Sequence, residues 1–415
     1  MSTFGRDGVK KVLLLDSAPT QTLHSGKAVR LVHLFKRLSQ RHELHYVAIV
    51  GPTEAETVPS WLAPLVTSTR IWRRAEVESR LGRYANWLTL QPWFYARHRY
   101  PQDYGRLSRQ LRELVRSEGI DVVHSFDEEA AQFVPDDVGC AFIADPADAM
   151  ALHASRQVEQ AGTVGERLRW RAMAWRLGHY ERQLVHRADA TVFVSEVDAS
   201  LYGVNGARDR VHVIPNGVDT AYFQPHPPTR QPANPPTLLF TGHMSFAPNR
   251  DAALHLIDDV LPLVRQRIPD AACYIVGAEP TADLLRRQGD GRHVVVTGRV
   301  ADLRPYFAQA SVYVCPMRLG AGIKNKLLEA MAMGCAIVAT PRATEGLAIR
   351  DGVHLCLADG PGAMADVMVA LMHDQPLRDR LGRLARDYVA SHHSWDRAAA
   401  AYDELYRALV SEGPS

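Results

Sequence analysis

Short apolar runs alternate with amphipathic stretches along almost the whole chain. KVLLLD at 11–16 has the length and apolar continuity of a buried strand. Residues 26–40 place Ala28, Leu31, Val32, Phe35 and Leu38 at helical spacing, so a helix follows with one apolar face. LHYVAIV at 44–50 is the next strand, and further strands are expected at 121–125, 140–144, 190–195 and 211–214. Strands separated by helices imply parallel sheets joined by right-handed crossovers.

The pattern breaks at 215–236. Pro215-Asn216-Gly217 is a turn signal. Residues 225–236 then hold six prolines in twelve positions, which excludes a helix or a central strand and suits a stiff connection. Beyond it the alternation restarts, with strands expected at 237–241, 272–276, 294–297, 311–315 and 335–340. Helices are expected at 250–265, 302–310, 323–333, 362–373 and 377–391. The fold class is therefore α/β, with two doubly wound domains at 1–217 and 237–393. A Pro-rich linker occupies 218–236, and a last helix near 394–415 packs back on the first domain.

Composition narrows the function classes. The 415 residues carry 48 Lys or Arg against 46 Asp or Glu, a balance that gives no case for nucleic acid as a partner. No apolar run reaches the ~18 residues of a membrane-spanning helix, and the first twenty residues lack the core of a secretion signal. The five cysteines (Cys140, Cys273, Cys315, Cys335 and Cys356) sit apart in apolar runs, as reduced core residues of a cytoplasmic protein do. Charge is uneven, however. Residues 27–116 hold sixteen Lys or Arg against seven Asp or Glu, together with Trp87, Trp93, Phe94, Tyr95 and Tyr100. Basic and aromatic residues together suit peripheral contact with an anionic membrane at its inner face. A solvated face over a packed aromatic core fits the same composition.

In open parallel sheets a ligand lies beyond the carboxyl ends of the strands. Gly26, Gly242, Gly277 and Gly298 stand at or just after such ends. The segment 316–334 is more informative, running from a strand through a glycine loop and a helix to a glycine and another strand. Gly320 and Gly322 let backbone N–H groups approach a ligand, and a helix beginning near Ile323 directs its positive end to the same place. That makes an anion site suited to a diphosphate, with Lys324, Lys326 and Arg318 adding charge. Glu329, on another face of that helix, suits a ribose diol. As an alternative, Lys326 and Glu329 form a solvated pair three residues apart. Neither a nucleotide-triphosphatase loop nor the Gly-x-Gly-x-x-Gly fingerprint occurs, and His42 and His45 lack a third ligand, so no metal is expected.

These pieces carry a resemblance. VIPNGVD at 213–219, FTGHMSFAPNRDA at 240–252, YIVG at 274–277, VTGRVADLRPYFAQASVYVCP at 296–316, GAGIKNKLLEAMAMGCAIVAT at 320–340 and EGL at 345–347 resemble the nucleotide-sugar domain of retaining GT-B glycosyltransferases of family 4, the glycosyl transferases group 1. Agreement spans about 190–360, and the first half matches more loosely through Gly26, DVVHS and ATVFVSE. Within the family, the exopolysaccharide-associated members look most similar.

The resemblance implies two Rossmann-like domains facing across a cleft, with the final helix crossing back. It implies a nucleoside-diphosphate sugar as donor and a glycan, lipid-linked or small-molecule hydroxyl as acceptor, with no cofactor and no metal. Glu329 matches the second glutamate of the family's Glu, seven residues, Glu motif, which binds ribose hydroxyls; the first glutamate falls on Ala321. Donor-sugar contacts are then expected from the N–H groups of Gly322, Ile323 and Lys324, with Asn325 beside them. His243 stands near the family's arginine position, so Lys324 and Arg250 are expected to neutralise the phosphates. Arg299 and Val300 fall where the base is recognised. The family's first-domain histidine is replaced by Asp145, a candidate for contacting the donor sugar or the acceptor hydroxyl. Retention of configuration follows from the resemblance, with same-face attack guided by the leaving phosphate. Two other readings share the fold: a sugar-nucleotide epimerase-like enzyme, and a catalytically degenerate partner subunit.

Overall fold

A computed structural model describes residues 8–17, 26–54, 57–74, 80–203, 208–225, 235–288, 293–320 and 322–412. The chain divides into two compact units, one of residues 1–215 and 398–415 and one of residues 216–397.

The first unit is a parallel sheet of seven strands: β1 (Lys11–Asp16), β2 (Glu43–Val50), β3 (Ser68–Arg73), β4 (Val122–Ser125), β5 (Ala141–Ala147), β6 (Ala190–Phe193) and β7 (Val211–Val213). Their order is β3-β2-β1-β4-β5-β6-β7, so the winding reverses between β1 and β4. Val12, Leu13, Leu14 and Leu15 are fully buried, as a strand covered on both faces requires. β3 was not expected: STRIWR is an edge strand of mixed polarity with no apolar run to announce it. β5 runs three residues beyond the expected 144, with its register against β6 broken between Ala144 and Ala147. Pro146 lies inside that break, where it has no N–H to give the ladder.

The second unit is a parallel sheet of six strands: β8 (Thr237–Thr241), β9 (Ala272–Val276), β10 (Val294–Val296), β11 (Val312–Cys315), β12 (Ile337–Ala339) and β13 (Cys356–Leu357). The order is β10-β9-β8-β11-β12-β13, reversing between β8 and β11. The expected helices at 302–310, 362–373 and 377–391 appear as Arg304–Gln309, Pro361–His373 and Gln375–His392. The linker expected at 218–236 needs correction in its described part. Tyr222 and Phe223 attach to the second unit: Phe223 lies against its core, and Arg304 stacks 4.1 Å over the exposed Tyr222 ring. Residues 226–234 lie outside the described residues. The unit boundary falls at 215/216 instead, next to Gly217, where a Cβ would stand 2.4 Å from the Trp395 nitrogen.

The last helix, Trp395–Glu412, belongs from Ala398 onward to the first unit, as expected. Tyr402 and Tyr406 on it are fully buried. The Tyr406 hydroxyl lies 2.7 Å from His124 Nδ1, and Arg30 donates to the Tyr402 hydroxyl at 2.5 Å.

Candidate donor-binding site

The site is built at the carboxyl ends of β8, β9, β10 and β11, on either side of the point where the second sheet reverses. Gly242 follows β8 and donates its N–H to Val276 O at 3.1 Å; Gly277 follows β9 and donates to Gly298 O at 3.2 Å. A Cβ on Gly277 would stand 1.8 Å from Gly242 O, so no side chain fits there. A Cβ on Gly242 would lie 2.9 Å from Asn249 Nδ2 and 3.0 Å from Lys326 Nζ. The strand-end glycines thus let the backbone turns interlock, with Asn249 and Lys326 seated directly against them.

Asn249 is buried and organises this floor. Its Nδ2 donates to His243 O at 2.9 Å, and its Oδ1 accepts from Lys326 Nζ. The Lys326 ammonium also lies 4.8 Å over the Phe240 ring. Burial is the main influence on Lys326 and lowers its pKa to about 8.

Gly320 and Gly322 hold φ of 98° and 69°, values glycine adopts without strain, which supports their assignment to a tight loop. The helix beyond them is Asn325–Ala332, with Lys324 at its cap, so it begins two residues later than the expected Ile323. Ile323 packs instead against the core. Leu327, Leu328, Met331 and Ala332 are buried as expected and seat the helix on the sheet. The N–H groups of Gly322 and Ile323 donate to no backbone carbonyl among the described residues. Those of Asn325 and Lys326, which open the helix, likewise donate to no backbone carbonyl among the described residues, whereas Leu327 N–H already donates to Lys324 O at 2.8 Å. Lys324 Nζ donates to Gly322 O at 2.5 Å, which braces the loop, and Asn325 Oδ1 is buried with no hydrogen-bond partner among the described residues. Ala321 lies outside the described residues.

Glu329 lies one turn beyond Lys326. Burial pushes its pKa up to about 7, against the pull of Lys326. The two do not form the solvated pair open at the level of sequence, because Lys326 is drawn to Asn249.

Two expected cations are engaged elsewhere. Arg250 grips Asp283 with Nε at 2.8 Å and Nη2 at 2.5 Å, at a half-exposed position. Arg318 forks onto Asp251 at 2.7 and 3.1 Å. Both arginines are thus paired with a carboxylate, whereas Lys326 lies in the strand-end floor against Asn249. His243 stands at the rim, its Nδ1 2.9 Å from Ser245 Oγ, and its Nε2 faces Glu279 at 3.6 Å. Val300 packs against the core beside Arg299. Nothing in the sequence signals that Asn249 holds Lys326, since the two stand 77 residues apart.

Asp145 is placed in the other unit and inside it. Its side chain is 0% exposed; Arg30 lies 3.3 Å and His124 Nε2 3.4 Å from Oδ2, which also accepts from Tyr402. Arg30 and the hydrogen bonds overcome the effect of burial and hold the pKa at about 2. The carboxylate that was expected to contact the donor sugar or the acceptor hydroxyl is thus closed in by Arg30, His124 and Tyr402. Gly26 begins the helix Gly26–Leu38 after β1, but residues 18–25 lie outside the described residues. Among the described residues, no cluster of His, Cys, Asp or Glu could hold a metal ion. No described helix is long and apolar enough to cross a membrane.

Known proteins resemble the chain in both sequence and fold. Residues 235–374 match the family model for glycosyl transferases group 1, and residues 24–222 match that for Glycosyltransferase Family 4. A phosphatidyl-myo-inositol mannosyltransferase of Mycobacterium tuberculosis is 34% identical over 212 residues, covering 48% of this chain and 54% of that protein. A GDP-mannose-dependent alpha-(1-6)-phosphatidylinositol monomannoside mannosyltransferase of the same species is 27% identical over 248 residues, covering 54% and 63%. The match thus spans less than two thirds of either relative. Among solved structures, sucrose-phosphate synthase from Thermosynechococcus elongatus superposes with a TM-score of 0.68 over 97% of this chain and all of that one, at 16% identity. Anabaena Alr3699/HepE in complex with UDP superposes at 0.66 over 96% of this chain and all of that one, at 13% identity. At such identities the likeness establishes the fold. Two glycosyltransferase family models thus match successive parts of the chain, Glycosyltransferase Family 4 on the first unit's side and glycosyl transferases group 1 on the second's.

Proposed function

We propose that the protein is a retaining, metal-independent hexosyltransferase that moves a sugar from a nucleoside-diphosphate donor to a hydroxyl acceptor. The observation that supports this reading is the second sheet's strand-end floor, where Asn249 holds Lys326 beside a glycine loop whose Gly322 and Ile323 N–H groups donate to no backbone carbonyl among the described residues. The diphosphate sits against the Gly320–Lys324 loop and the first turn of Asn325–Ala332, with Lys326 supplying positive charge. Glu329 accepts hydrogen bonds from the ribose diol, and the turn at Arg299 and Val300 meets the base. As the sugar–phosphate bond breaks, charge grows on the leaving phosphate while the anomeric carbon becomes cation-like. The loop N–H groups and Lys326 stabilise that charge, and the acceptor hydroxyl attacks the face the phosphate leaves, giving its proton to the departing phosphate oxygen.

The relatives' names favour a glycan or lipid-linked acceptor. Two of them act on phosphatidylinositol substrates, and a third, from Xylanimonas cellulosilytica, is a D-inositol 3-phosphate glycosyltransferase. A polyol acceptor of that chemistry, free or lipid-linked, therefore ranks ahead of the exopolysaccharide acceptor expected from sequence. Incubation of the purified chain with UDP-, GDP-, ADP- and dTDP-sugars, with and without inositol lipids and with a chelator present, tests the reading. Acceptor-dependent release of nucleoside diphosphate with retained anomeric configuration is expected. Binding of no nucleotide at the floor would overturn it, and turnover without acceptor would favour an epimerase.

A further inference from the structure

The helix Arg80–Leu88 in the first unit is mounted inside out. Its inward face is glycine and amide: Gly82 and Asn86 are both buried, four residues apart. A Cβ on Gly82 would stand 2.1 Å from His98 O, so only glycine lets the helix lie this close. Asn86 Nδ2 donates to Pro92 O at 3.2 Å and Tyr95 O at 3.1 Å, and its Oδ1 accepts from His98 Nδ1 at 2.9 Å. Arg176, on the long helix Val164–Arg187, donates to Asn86 O at 3.3 Å. These bonds clamp the polar side inward and turn the apolar side out. Leu81 is 83% exposed, and Tyr84, Trp87 and Leu88 are each 59% exposed, with the Tyr84 and Trp87 rings stacked. Trp93 and Leu90 follow, also exposed.

An exposed apolar patch of this kind marks an interaction surface. Its surroundings choose the partner. Residues 80–99 contain four arginines and no Asp or Glu, and Arg83 and Arg97 are exposed. The neighbouring Val164–Arg187 carries six arginines with Leu168 and Trp175 exposed among them. Leucines to enter acyl chains, Trp and Tyr for the headgroup level and arginines for anionic lipid are the parts of an interfacial helix. We propose that the outward face of Arg80–Leu88, with Trp93, Arg83 and Arg97, docks the protein on an anionic bilayer. This deepens the reading of a lipid-linked acceptor but stands on its own geometry.

Sedimentation of the full chain with vesicles, in the absence of donor, tests it. Vesicles of phosphatidylcholine with phosphatidylglycerol are compared with phosphatidylcholine alone. The wild type is expected to bind the anionic vesicles at least tenfold more tightly, with a blue shift in tryptophan emission. The triple variant Leu81→Ser, Tyr84→Ser, Leu88→Ser should lose at least tenfold, and Arg83→Gln with Arg97→Gln should weaken binding and flatten its salt dependence. Absence of wild-type binding at low salt, or serine-variant binding equal to wild type, overturns the proposal. So does sedimentation velocity in which the serine changes convert a dimer to a monomer and leave vesicle binding intact. Either failure leaves nucleotide binding in the other unit, measured separately, untouched.

Discussion

Lys326 and Glu329 lie one turn apart on the same helix and do not pair. The ammonium is held by Asn249 Oδ1, and the carboxylate has no hydrogen-bond partner among the described residues. An exposed pair at this spacing would contribute only a few tenths of a kcal/mol. Held apart and partly buried, each charge instead stays available to a ligand of opposite demand, the cation to a phosphate and the carboxylate to a diol. Glu329→Ala should therefore raise the donor Kd about ten- to a hundredfold, or ~1.4–2.8 kcal/mol, with the melting temperature maintained. Lys326→Met should weaken nucleoside diphosphate more than the bare nucleoside. Calorimetric titration with both ligands separates the two effects; equal losses for nucleoside and diphosphate in Lys326→Met would contradict a phosphate role.

The same pair sets a pH dependence. Burial raises Glu329 from 4.5 to about 7 and lowers Lys326 from 10.5 to about 8. Donor binding needs Glu329 ionised and Lys326 protonated, so affinity should peak between pH about 7 and 8 and fall on both sides. Stability without ligand runs the other way. Between pH 4.5 and 7 the folded state holds the Glu329 proton that the unfolded state has lost, so this group's contribution falls as pH rises. Between 8 and 10.5 the unfolded state holds the Lys326 proton that the folded state has lost, so that contribution rises with pH. Thermal shifts with and without nucleoside diphosphate from pH 5 to 10 should show the largest ligand effect where these contributions are lowest. Glu329→Gln should remove the acid limb; an unchanged acid limb would assign it to another group.

The strand-end glycines give a graded test of the floor. Gly277→Ala brings a Cβ to 1.8 Å from Gly242 O at φ of 150°, and backbone must move. Gly242→Ala meets side-chain ends at 2.9 and 3.0 Å, which can shift by pushing Asn249 and Lys326 aside. The first should cost stability outright, of the order of several kcal/mol. The second should cost ~1–2 kcal/mol of stability and a larger share of donor affinity. Urea unfolding beside nucleotide titration reads both, and a Gly242→Ala protein with wild-type affinity would separate Lys326 from the site.

What the residues alone disclosed follows from how local each signal is. Apolar runs announced the central strands, because burial on both faces leaves Val12–Leu15 or Val312–Cys315 no polar choice. β3 and β13 went unseen, one being a mixed edge strand and the other two residues long. Val164–Arg187 was not foreseen either, since its first half is largely exposed and shows no apolar stripe. Positive-φ glycines at 320 and 322 were legible because only backbone geometry needs them. Charge partners were not, since Arg318 and Asp251 stand 67 residues apart and Asp145 and Tyr402 257 apart.

Asp145 shows why that distinction matters, and it can be tested directly. Its Oδ2 gathers Arg30, His124 and Tyr402, while Oδ1 is buried with no hydrogen-bond partner among the described residues. Tyr402 comes from the closing helix, so the cluster joins that helix to β5 and to Gly26–Leu38. Removing one charge from a buried pair leaves the other uncompensated, at a cost of ~3–5 kcal/mol. Asp145→Asn should therefore lower stability by that order, and Tyr402→Phe by ~1–3 kcal/mol through the lost hydroxyl. Because Asp145 is ionised in the folded state down to about pH 2, its contribution should be present at neutral pH. It should be lost as pH falls from the ordinary carboxylate value of 3.8 toward 2. A catalytic Asp145 predicts the opposite pattern: a stable Asp145→Asn protein that binds donor normally and has lost turnover. Chemical unfolding of the variant beside its nucleotide affinity and rate distinguishes the two.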